Sequence, residues 1–178
     1  MLLSFLLLFG TCKTKNKEQN NQQAILTNKI KIINSIQHKI QLAAGNNFTA
    51  RPTLNAGEYY YDERNFRDSF GRLKEYVVIE RRDTGDVLTN YYYKDSQLIK
   101  VTKSVVTLNV NQFANYYFDN YSLIHSHVGG SLSLISTDTL LSRGYRYLSI
   151  KGDVGDKEYR KYFGKKTYPP NSIVEIIE

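Results

Sequence analysis

The chain has 178 residues, of which 13% are aromatic and 23% charged, and it carries a net charge of +7. One cysteine excludes a disulfide within the chain, and with it the class of small disulfide-stapled folds. The length suits one domain with a substantial core, and no internal linker divides it.

The first element is the apolar run Leu2 to Phe9, broken only by Ser4. It is too short for a membrane span of about 20 residues but suits the core of a signal peptide. Gly10 and Thr11, both small, then precede Cys12, and no base stands nearby to hold that thiol as a thiolate. Residues 1–12 resemble a bacterial lipoprotein signal peptide, whose lipobox ends on a cysteine that is diacylated at sulfur and becomes the new N-terminus. The resemblance implies loss of residues 1–11, a palmitate-type anchor on Cys12 and residence in the bacterial envelope. Lys13, rather than an aspartate, follows the cysteine, which in family terms points to the outer membrane and not the inner one. Two or more acyl chains anchor a protein stably where one does not.

Residues 12–23 continue as KTKNKEQNNQQ after the cysteine, with no apolar side chain and no periodicity, and read as a flexible tether. The removed segment holds no charged residue, so the excess of +7 belongs to the mature chain of 167 residues left after the first 11. A basic surface on an envelope protein points to acidic lipid, glycan or another envelope protein as partner, and not to nucleic acid.

From Ala24 the pattern becomes helical. Leu26, Ile30, Ile33 and Ile40 recur at helical spacing, with Ile25, Ile32 and Ile36 beside them and polar residues elsewhere, which predicts one amphipathic helix over 24–43. Asn20 or Asn21 caps its start and Gly45 ends it. Beyond Pro52 the chain reads as strands. The clearest evidence is an internal repeat: NYYYKDSQLIK (90–100) and NYYFDNYSLIH (115–125) align without a gap at an offset of 25. Each predicts a hairpin, over 87–103 and 112–128, turning at Asp95-Ser96 and Asn120-Tyr121. Further strands are expected at Lys74–Arg81, Thr102–Val110, Leu132–Ser136, Tyr145–Ile150 and Ile173–Ile177. The fold class that follows is α+β, a single domain over 24–178 with the N-terminal helix packed on a curved antiparallel meander sheet.

Few residues suggest chemistry. His125 and His127, two apart on a predicted strand, project from one face and with a carboxylate would hold Zn or Fe, yet no third ligand stands at a diagnostic spacing. Asp62 and Glu63, followed by Arg64, Arg67 and Arg72, read as a charged loop. The stretch Gly152–Glu158 lacks the alternation of a calcium loop and the lysine spacing of a phosphate loop. Ser131, Ser133 and Ser136 lack a nucleophile elbow. No catalytic residue, metal or cofactor is therefore expected.

The tyrosine triplets point further. In a strand, Tyr91, Tyr92 and Tyr93, like Tyr116, Tyr117 and Phe118, must send rings to both faces; one face packs on the helix and the other is expected to present an outward aromatic stripe. The leading functional expectation is a noncatalytic envelope binding or scaffold module using that stripe. A carrier of lipid or another hydrophobic ligand in a sheet-lined cavity is the second, and a metal-dependent enzyme using His125 and His127 the third.

Overall fold

The computed structural model describes residues 10–50, 54–56, 59–82, 85–107, 111–130, 132 and 135–150. Its architecture is α+β, as the sequence predicts. Helix α1 (Gly10–Ala44) leads into an antiparallel sheet, and a second helix, α2 (Thr137–Ile150), closes the described chain. The sheet is an open meander of six long strands: β3 (Tyr59–Arg67), β4 (Leu73–Arg81), β5 (Asp86–Lys94), β6 (Gln97–Val106), β7 (Asn111–Asp119) and β8 (Ser122–Gly129). Two short strands, β1 (Thr49–Ala50) and β2 (Leu54–Ala56), pair with the free edge of β3.

Helix α1 is longer than the predicted 24–43 and runs through the expected tether. Lys, Glu and Gln are good helix formers, neither Gly nor Pro interrupts residues 13–23, and a helix nucleated downstream propagates into such a sequence at little cost. The stretch from Cys12 to Lys29 is thus a rod of about 25 Å. At the other end Gly45, at φ +45°, takes the left-handed cap conformation and its amide donates to the Gln41 carbonyl at 3.1 Å. Ile30, Ile33, Ile36 and Ile40 face the sheet, whereas Ile25, Ile32 and Leu42 stay exposed on the flanks.

Both predicted hairpins form, β5–β6 and β7–β8. Their turn residues all have positive φ: 50° and 57° at Asp95 and Ser96, 45° and 62° at Asn120 and Tyr121. Two consecutive left-handed residues make a type I′ turn, whose twist matches the strands it joins. Past each turn lies the same bulge. Tyr92 pairs with Lys100 while Tyr93 pairs with Leu98, leaving Ile99 unopposed; Tyr117 pairs with His125 while Phe118 pairs with Leu123, leaving Ile124 unopposed.

The β3–β4 hairpin is a third copy. Phe66 pairs with Glu75 and Arg67 with Leu73, so Lys74 is the extra residue. Leu73-Lys74-Glu75, Leu98-Ile99-Lys100 and Leu123-Ile124-His125 stand 25 apart in succession. The first turn is one residue longer, and Asp68 closes it by accepting from the amides of Phe70 and Arg72, each at 3.0 Å.

The face opposite α1 is covered too. The strand expected at Tyr145–Ile150 is helix α2, and the one expected at Leu132–Ser136 is not a strand in its described residues 132, 135 and 136. Tyr145 and Tyr147 alternate as strand residues do, but Leu140, Leu141, Gly144, Tyr145 and Leu148 form a helical stripe once the window opens back to Thr137. Ser136 caps that helix, accepting at Oγ from the Thr139 amide at 3.4 Å. The strand expected at Ile173–Ile177 and the stretch Gly152–Glu158 lie outside the described residues.

Sequestering the sheet between two helices overturns the outward aromatic stripe. Tyr91, Tyr93, Tyr116 and Phe118 belong to the core beneath α2, Tyr92 and Tyr117 to the core beneath α1, and none is more than 7% exposed. The rings do alternate between faces; neither face is open to receive a partner on them.

A candidate ligand cleft beside a polar cross-strand row

The pairings place six side chains in one row across the α1 face: Phe66, Glu75, Tyr92, Lys100, Tyr117 and His125. Repetition of the hairpin puts an aromatic ring at every first position and a polar group at every second. Helix α1 crosses this row, and its polar residues answer the row's polar groups. Lys100 Nζ donates to Asn34 Oδ1 at 2.7 Å and to Gln37 Oε1 at 2.5 Å, and lies 4.7 Å from the centroid of the Tyr117 ring. Gln41 donates to the Tyr92 hydroxyl at 3.0 Å, as Asn90 does at 3.2 Å. At the β7 end Lys29 pairs with Asp119.

Burial governs the electrostatics here. Desolvation beneath α1 pushes the Lys100 amine down to about 8 from its ordinary 10.5. It also raises the Glu75 carboxyl, against the stabilising hydrogen bond from the Tyr92 hydroxyl, and Glu75 Oε2 has no hydrogen-bond partner. Tyr92 itself is pushed up to about 12, by burial first and by the Glu75 charge second.

Where α1 ends, the row opens. A cleft of about 450 Å³ lies between the last turns of α1 and the β3–β4 turn, with Ile36, Ile40, Ala43 and Phe66 among its apolar lining. Its size is that of a small-molecule site. Polar groups stand around it: Lys39 from the helix, Arg67, Asp68 and Lys74 from the first hairpin, and Lys94 from the second. Asp68 pairs with Lys74 at 3.3 Å. Although desolvation opposes it, hydrogen bonds from the Arg72 amide, Lys74 and the Phe70 amide hold the Asp68 carboxyl below its ordinary range.

The residues singled out in the sequence lie elsewhere or act otherwise. His125 and His127 do share the α1 face, where they are exposed and tilt over Tyr117 and Phe113, with ring centroids 5.8 and 5.5 Å apart. Among the described residues no three His, Cys, Asp or Glu side chains gather in a way that would hold a metal ion. Asp62 and Glu63 are not in a loop but in β3, where Glu63 is buried and accepts from the Tyr76 hydroxyl. Of the six expected binding aromatics only Tyr93 touches the cleft. Cys12 falls in the first turns of α1, far along the rod from the sheet. The cleft residues went unseen because three of its walls belong to separate hairpins and a helix. The one available signal was the weaker third copy of the repeat, Leu73-Lys74-Glu75.

No described helix is long and apolar enough to cross a membrane. No protein-family model matches the chain, and neither a curated protein nor a solved structure is similar to it at a significant level.

Proposed function

We propose that the protein is a lipid-anchored module of the bacterial envelope, held at the outer membrane through acylated Cys12, that binds a small ligand with an apolar body in the cleft at the end of α1. The observation that carries this reading is the cleft itself: an apolar space of about 450 Å³ left open at the end of α1, beside the two packed cores of the sheet. Each methylene that enters such a space contributes about 0.8 kcal/mol, so a chain of about ten carbons reaches the roughly 8 kcal/mol of micromolar binding before ordering costs. The rod between Cys12 and Lys29 would stand the sheet away from the bilayer, leaving the cleft accessible from the aqueous side.

Two measurements test this. Cys12→Ala should remove lipid labelling and release the protein from the membrane fraction; labelling that persists in the variant ends the anchor reading. The full chain carrying Cys12→Ala should bind the neutral fluorophore N-phenylnaphthylamine saturably. Ala43→Trp, which places an indole in the cleft from an exposed helix position, should abolish that binding without lowering stability. Saturable binding that Ala43→Trp leaves intact would place the ligand elsewhere and end the cleft reading.

A further inference from the structure

The charges at the mouth of the cleft say what kind of ligand the apolar lining would receive. Resting on the reading of the cleft as a ligand site, we propose that its ligand is a single-chain amphiphile with an anionic head, a fatty-acid carboxylate, lying with its chain along Ile36, Ile40 and Phe66 and its head between Lys39 and Lys94. Four cationic side chains border the cleft against one carboxylate, Asp68. That carboxylate is engaged: it accepts from two backbone amides of its own turn and pairs with Lys74. Lys39 makes no ion pair with a described residue, and Lys94 reaches only the exposed Asp95, at 4.0 Å. The two come from different elements, the last turns of α1 and the end of β5, and both line the cleft. An amphiphile satisfies both halves of this arrangement at once, because its chain fills space that water solvates poorly and its head meets a positive field.

The polarity of the helix end does not defeat this. The last carbonyls of α1 carry partial negative charge. Two of them are already satisfied, by the amides of Gly45 on Gln41 and of Asn47 on Ala44. A cationic or neutral ligand would gain nothing from the lysines. The cleft is one space of about 450 Å³, the size of a small-molecule site, and a free single chain suits it better than a two-chain bilayer lipid.

The test displaces N-phenylnaphthylamine from the full chain carrying Cys12→Ala, at neutral pH and low salt, with three dodecyl competitors: dodecanoate, dodecanol and dodecyltrimethylammonium. Dodecanoate should displace the probe at a concentration about tenfold lower than the cation does. Lys39→Glu combined with Lys94→Glu, both at exposed positions, should remove that advantage and leave dodecanol unchanged. The same charge reversal at Lys31, on the exposed side of α1, should leave dodecanoate displacement as it is. Equal displacement by anion and cation, or an anion preference that survives the double reversal, overturns the assignment of the head group while the cleft reading stands. Failure of the probe to bind at all removes both. Flotation with anionic phospholipid vesicles that Ala43→Trp abolishes would put a bilayer lipid in the cleft and overturn the single-chain ligand.

Discussion

The two faces of the sheet are built from the same repeated hairpin, yet they are unlike. Beneath α2 lies an aromatic core in which tyrosine hydroxyls complete the backbone: Tyr93 donates to the Gly144 carbonyl at 2.9 Å, and the Tyr145 and Tyr116 hydroxyls accept from the amides of Leu98 and Ile135 at 3.2 and 3.1 Å. Tyr147 stacks on Tyr76 at 4.1 Å and meets Tyr91 edge-on at 5.1 Å, pairs worth about 0.5–1.5 kcal/mol each beyond the area they bury. Gly144 allows the close approach, since a Cβ there would sit 2.8 Å from Leu98 Cδ2. Each side buries a carboxylate, Glu63 against the Tyr76 hydroxyl beneath α2 and Glu75 beneath α1, but the α1 side adds the Lys100 amine and packs its rings against six isoleucines. The bulge explains part of the difference. It leaves Ile99 and Ile124 unopposed in their ladders and adds both to the α1-side core, beside the polar row. The α2 face holds the fold together; the α1 face is where charge and space remain for a ligand.

The largest effect should therefore come from the α2 side. Leu148→Ala, at a fully buried position, should cost about 2–5 kcal/mol in urea unfolding, whereas Ile33→Ala on α1 should fall at the bottom of that range. Equal losses would mean that the two faces contribute alike.

The polar row makes an opposite pair of pH dependences. Lys100 has a folded value near 8, below its unfolded 10.5, so the unfolded chain binds more protons across that window and stability should rise with pH between them. Glu75 has a folded value above its ordinary 4.5, so stability should fall as pH rises from 4.5 through that raised value. Lys100→Met should flatten the first slope and Glu75→Gln the second, in urea titrations at stepped pH. A wild-type slope unchanged by either substitution would show that burial of these groups is not what titrates.

Smaller effects separate the two hairpin turns. Ser96→Gly should stabilise by up to about 1 kcal/mol, because glycine takes the second left-handed position of a type I′ turn without a Cβ penalty. Tyr121→Gly relieves the same strain but loses the ring contact with Tyr145, whose centroid lies 4.9 Å away, and should gain less or lose. Smallest of all, His125→Ala and His127→Ala should each stay within about 0.5 kcal/mol in urea unfolding, as exposed residues do. A larger loss would give these rings a structural role.

Period and spacing were enough to read the α1 stripe, the two hairpins with their turns, and the meander, because each rests on residues near one another in sequence. Local pattern also assigned alternate faces to Tyr91, Tyr92 and Tyr93. What it did not contain was whether each face would be covered. That was decided by Leu140, Tyr145 and Leu148, some fifty residues away, whose short stretch reads equally as strand or helix until it has a sheet to lie on. In the same way Glu75 and Lys100 are ordinary surface-type residues by composition, and only cross-strand register together with the path of α1 buries them in one row. The cleft is the plainest case. Ile36, Lys39, Phe66 and Lys94 share no motif, and they meet because a helix of a given length ends where a one-residue-longer turn begins, a fact of packing and not of any segment alone.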